Sequence, residues 1–232
     1  FAYMAASPLP NLDYGGLRAL FGAHGVSDAQ MVEFITATTD LRGADLMLPA
    51  DAERLRADDE IGFPAWVRVR AMSVSAYRSL RALKGYPDVP AAADGYLLHA
   101  AASRHRAAAA ESRAAWERFV AAGSPVDLGG RALRPASAQV LTEPLGFQIA
   151  GVGALLIVPD EVLAGLTPDQ EHPFQRHLVA EVPGQEPDGL TEAAWEWVWE
   201  QLRENEGWIS FSSRAETMGS GYLIEGILVF LS

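Results

Sequence analysis

The last fourteen residues, GSGYLIEGILVFLS at 219–232, carry a single charge, Glu225, within an otherwise apolar run. A run of that kind has to leave water, and its length limits where it can go. As a helix it would cover roughly 21 Å, short of the about 30 Å that a bilayer core requires. It is therefore either a buried C-terminal strand or helix of the domain, or the opening of a transmembrane helix that continues further. Glu225 disfavours the centre of a bilayer but suits its surface, because an ionisable group is costly mainly at depth.

The rest of the chain has enough apolar material for a core. Hydrophobic residues make up 49% of 232, with six tryptophans and nine phenylalanines, which argues against disorder. Thirty acidic against eighteen basic residues leave a net charge of -12. That balance repels polyanions, so nucleic acid is not an expected partner, and any contact with an anion must be local. The lack of cysteine excludes disulfides, thiolate zinc sites and a cysteine nucleophile. The chain opens without an initiating methionine or a basic signal segment, and together with the apolar end this leads us to expect a piece of a longer protein.

Periodicity predicts an α+β fold of short mixed strands and amphipathic helices, with no sustained strand–helix–strand rhythm. Residues 1–10, broken by Pro8 and Pro10, read as a lead-in. A short helical turn is predicted around 17–21. Ser27 and Gln30 form a capping-box pair ahead of Met31, Phe34 and Ile35, whose spacing predicts a helix with one buried stripe. A short strand is predicted at 45–48, and 51–60 is a charged, solvated stretch. WVRVRAM at 66–72 alternates as a half-exposed strand, followed by a helix capped by Ser73 or Ser75 and closed by Gly85. Further strands are expected at 96–99, 131–133, 138–141, within 146–158, at 177–182 and at 208–212. Further helices are expected at 101–122, 160–166 and 190–205, the last with Trp195, Trp199 and Leu202 on one face. The chain divides into a lead-in at 1–14, an α+β domain at 15–215, and the start of a membrane helix at 216–232. A division of the domain into two lobes would fall at 123–134.

Motifs for chemistry are sparse. The histidines (His24, His99, His105, His172 and His177) lie at spacings that make no zinc motif, and there is no nucleophile elbow or phosphate loop. Gly151 and Gly153 form a bare GxG that leads to Pro159 rather than to a helix that could receive pyrophosphate. No catalytic residue, metal ligand or cofactor is assigned. Arg68 and Arg70 share one strand face, which is either an anion-binding edge or a solvent face beside acidic neighbours. Trp195, Trp197 and Trp199 cannot all share one helical face, because neighbours two apart diverge by about 200°. Trp197 is therefore either packed on a second element or exposed to a lipid headgroup or partner. Arg68, Arg70 and Trp197 are the candidate ligand or interface residues.

Four segments carry a family likeness: DLMLP at 45–49, MSVSAYRSLRALKG at 72–85, LLIVPDEVLAGL at 155–166 and SSRAETMGSGYLIEGILVFLS at 212–232. Together they resemble the large extracellular domain of FtsX-like ABC transporter permeases of the bacitracin and lantibiotic resistance type. The helix at 101–122 departs from that pattern in composition. The resemblance implies a non-catalytic domain on the extracellular side of the cell membrane, tethered by flanking membrane segments, with Tyr222 and Glu225 membrane-proximal. It implies a cytoplasmic ATP-binding subunit as partner and, in many members, a membrane histidine kinase. The ligand it implies is an antimicrobial peptide or a pyrophosphate-bearing cell-wall lipid, and no cofactor resides in the domain. The classes competing with it are a secreted or surface ligand-binding module, in which 219–232 completes the fold, and a hydrolase whose site assembles over long range.

Overall fold

A computed structural model describes residues 2–7, 12–42, 66–90, 94–100, 106–143, 145, 154–167, 174–204 and 209–214. The fold is α+β, as the periodicity predicts. Its strands are β1 (Ala2–Ser7), β2 (Met31–Arg42), β3 (Trp66–Ser73), β4 (Gly95–Ala100), β5 (Val126–Leu128), β6 (Arg131–Leu141), β7 (Ala154–Val158), β8 (Gln175–Glu181) and β9 (Ser210–Arg214). The helices are α1 (Tyr14–Ala23), α2 (Val74–Leu83), α3 (Arg106–Ala121), α4 (Asp160–Ala164) and α5 (Leu190–Glu204). The strands form one sheet in the order β5-β6-β4-β7-β3-β2-β8-β1-β9. The pairs β3–β7 and β4–β6 are parallel and the remaining neighbours antiparallel.

Residues directly opposite one another across a ladder share a face, so the register sorts the side chains. One face carries Tyr3, Ala5, Leu178 and Ala180 under α1 and α5, then Ala37, Val69, Ala71, Leu156 and Leu98 under α3 and α4. The other face carries Met4, Phe34, Met72, Leu97, Leu155, Ile157 and Val179, packed with Tyr77 and Leu80 of α2. Four described helices therefore cover one side of the sheet and α2 the other. Ser73 caps α2 by accepting from the Ala76 N–H at 3.2 Å, and an ion pair from Lys84 to Glu181 ties the helix end to β8.

Three local expectations change. Residues 2–7 of the expected lead-in form a sheet strand: β1 lies between β8 and β9 with both of its faces buried, which is why AYMAAS shows no polar alternation. The helix expected after Ser27 is a strand. The capping pair is real, with the Ser27 N–H donating to Gln30 Oε1 at 2.9 Å, but it closes a single 3-10 turn at Asp28–Gln30. The β-branched Val32, Ile35, Thr36, Thr38 and Thr39 then favour the extended chain. The stretch 123–134 separates no lobes, because β6 pairs directly with β4. Gly95 permits that pairing, since a Cβ there would lie 2.3 Å from the Arg134 carbonyl oxygen.

The strand expected at 45–48, the charged stretch 51–60 and the closing run 219–232, with Tyr222 and Glu225, lie outside the described residues, as does the GxG at Gly151 and Gly153. Among the described residues no helix is long and apolar enough to cross a membrane.

Candidate functional site

The face under α2 gathers polar groups that a sheet interior normally excludes. Ladder register places Arg70 beside Thr38 and Leu155, and His99 opposite Leu155 on the next strand. One pleat repeat further along, Thr36 lies between Met72 and Gln175, and the next repeat places His177 opposite Phe34. Thr36, His99, Gln175 and His177 are all buried.

His177 bonds through Nε2 to Thr36 Oγ1 at 2.8 Å, and its ring stacks on Phe34 with centroids 4.8 Å apart. Burial pushes its pKa down to about 3, and the positive charge of Arg70 adds to the shift. The imidazole is therefore neutral at physiological pH. Gln175 is 8% exposed, and its Oε1 has no hydrogen-bond donor among the described residues. Arg70 is half-buried, and burial lowers its guanidinium to about 10. No described residue presents a carboxylate to it by hydrogen bond or ion pair.

A second network sits at the α2 end of the same face. Tyr77 and Arg81 lie one helical turn apart and both point inward. Tyr77 Oη bonds His99 Nδ1 at 2.8 Å and accepts from Arg81 Nη1 at 3.4 Å. The buried Arg81 also donates through Nε to the Pro87 carbonyl at 2.8 Å and through Nη2 to Glu143 at 3.0 Å. Arg81 in turn holds the Glu143 carboxyl down at about 2. Burial moves His99 down to about 4 and Tyr77 up to about 12. Each nitrogen of the Arg81 guanidinium thus has a partner, whereas Arg70 meets no carboxylate among the described residues.

Two surface hollows, of about 390 and 270 Å³, touch none of these groups. The first is lined by Arg18, Gly22, Asp28 and Met31, and the second by Glu186, Gly189 and Thr191. Among the described residues, no group of three or more histidines or carboxylates is placed to hold a metal ion.

The site residues expected from sequence separate. Arg70 falls on the polar face, while the side chain of Arg68 lies outside the described residues. Trp197 is buried in the core beneath α1 and α5. The outward tryptophan is Trp199, 48% exposed, and Trp195 is partly buried, edge-on to Phe211 at 5.0 Å. The inward stripe of α5 runs through Ala194, Trp197, Val198, Gln201 and Leu202. The small Ala194 and polar Gln201 hide that stripe from a count of apolar residues. Gln201 is inward because its Oε1 accepts the Asp13 N–H at 3.2 Å. The Tyr77–His99–Arg81–Glu143 network was missed; the spacing of Tyr77 and Arg81 was its one visible signal, since Glu143 arrives from a distant connection.

No protein-family model matches the chain, and no curated protein does. A crystal structure described as a "Putative Lipoprotein from Bacillus anthracis" is similar over 84% of this chain and 91% of its own, at 9% identity and a TM-score of 0.41.

Proposed function

We propose that this chain is a non-catalytic recognition domain on the extracellular side of an ABC transporter permease of the bacitracin and lantibiotic resistance type, and that Arg70 holds an anionic group of its ligand. The transporter part of the reading rests on the four segments quoted above. Two of them fall on described residues and are direct neighbours: β3 runs parallel to β7 from Arg70 opposite Leu155 to Ser73 opposite Val158, and the Ser75 N–H donates to Asp160 Oδ1 at 3.1 Å. The ligand part rests on one observation, a half-buried guanidinium on an interior strand that meets no described carboxylate. A charge withdrawn from water without a described counter-charge is costly, and a ligand anion would compensate it. In this reading a pyrophosphate-bearing lipid, or a peptide complex of it, supplies the anion. ATP binds on the cytoplasmic subunit, and a histidine kinase receives the signal where one is present.

Titration calorimetry with inorganic pyrophosphate tests the ligand part. Binding is expected for the unaltered protein, weakened about tenfold or more in Arg70→Met through loss of a charge-assisted contact. Binding should also fall with added salt. No heat from the unaltered protein, or equal affinity in the variant, would remove Arg70 as the contact. The transporter part is tested on the gene: the reading frame beyond Ser232 is expected to continue the apolar run into further membrane spans, and immediate termination would sink it.

A further inference from the structure

We infer that the anion held at Arg70 also carries a hydrogen-bond donor, which Gln175 recognises, so that the site prefers a protonated oxyanion such as hydrogen phosphate to a fully ionised one of the same shape such as sulfate. The inference rests on the Arg70 reading and narrows the chemistry of its ligand.

Arg70 is opposite Thr38 on β2 and Gln175 is opposite Thr36, so the two side chains leave the same face on either side of β2, one pleat repeat apart. With strands about 4.8 Å apart and a repeat of about 6.8 Å, their Cα atoms are about 12 Å apart, a gap that two long side chains and one tetrahedral anion can close. The field of Arg70 reaches across β2, since it helps hold His177 neutral.

Gln175 supplies the second requirement. Its Oε1 is a pure acceptor, buried and without a donor among the described residues. A buried acceptor left unmet is costly, so this oxygen, on the same face as a guanidinium that meets no described carboxylate, calls for a ligand that accepts at one end and donates at the other. Thr36, whose hydroxyl bonds His177 Nε2, does not bond Gln175 Oε1. Sulfate offers only acceptors and would set oxygen against oxygen at Gln175, whereas phosphate near neutral pH keeps a hydroxyl that can donate there.

The test is calorimetric titration of the unaltered protein with inorganic phosphate and with sulfate at pH 6.5 and constant ionic strength. Phosphate is expected to bind about tenfold more tightly, the ratio that one satisfied against one repelled hydrogen bond produces. Gln175→Met should erase the preference while leaving thermal stability equal or higher, because an apolar isostere removes the orphan oxygen. A role confined to packing would not produce that pair of outcomes. Arg70→Met should weaken both anions alike. If the unaltered protein binds both equally, or Gln175→Met keeps the preference, the donor requirement is overturned while Arg70 stands as the anion contact. If neither anion binds, the Arg70 reading falls and this inference falls with it.

Discussion

Acidification from pH 7 to pH 4 is expected to destabilise the protein by several kcal/mol, enough to unfold a domain whose total stability is about 5–15 kcal/mol. His99 and His177 are held neutral by burial, with folded pKa values of about 4 and about 3 against an ordinary value near 6.5. The unfolded chain therefore takes up protons that the folded chain refuses. Stability is intact above about pH 6.5 and falls as pH drops through the window towards the folded values, by about 1.4 kcal/mol per pH unit for each histidine. The neighbouring groups act in a known sense: Arg70 disfavours the charged form of His177, and at His99 the opposing pulls of Glu143 and Arg81 remain smaller than the effect of burial. Below about pH 4.5 Glu143 adds its own loss, since its carboxyl is held at about 2 by Arg81 and protonation ends that pairing. Urea unfolding from pH 8 to pH 4 measures the slope, and His99→Gln or His177→Gln should each flatten it. Equal stability at pH 7 and pH 4.5 would show that the histidines are not buried as described.

Phe34→Ala is expected to cost about 3–5 kcal/mol, the range for emptying an aromatic site in a packed core. Ile35→Ala, one residue along the same strand, should cost about 1 kcal/mol or less. Phe34 is 5% exposed, stacked on His177 beneath α2; Ile35 is 44% exposed on the opposite face, beside Arg176. Denaturant midpoints at unchanged m-value give both numbers. Comparable losses would mean that the two side chains share a buried stripe, as the helical spacing of Met31, Phe34 and Ile35 predicts, and would contradict the strand.

That pair of residues also shows why the sequence can be read both ways. A spacing of three and four places Met31, Phe34 and Ile35 on one helical face, while a period of two separates Phe34 from Ile35, and the capping box before them fits either outcome because it specifies only the first turn. What decides is the β-branched run that follows and the partners on β3 and β8, which are distant in sequence. β1 eluded periodicity for a different reason: a strand buried on both faces has no polar alternation to detect. The alternation of β3, the Ser73 cap, the Gly123 stop after α3 and the extent of α5 were legible because each is a local signal. The candidate site was legible only at Arg70. Gln175, Thr36 and His177 gain their meaning from being side by side on one sheet face, and Tyr77 with His99 from a contact across 22 positions.

The position of β1 bears on how the chain reaches its fold. Residues 2–7 leave the ribosome before the other described strands, yet both of their ladder partners, β8 and β9, come from residues 175–214. β1 must wait for the other described strands up to β8 before it can pair, with its backbone N–H and C=O groups uncovered in the meantime. Contacts of such sequence separation make folding slow and leave a window for aggregation or for capture by chaperones. The sheet is thus closed near its far edge by strands far apart in sequence, so the arrival of β8 and β9, and not the formation of any local helix, gates the native sheet.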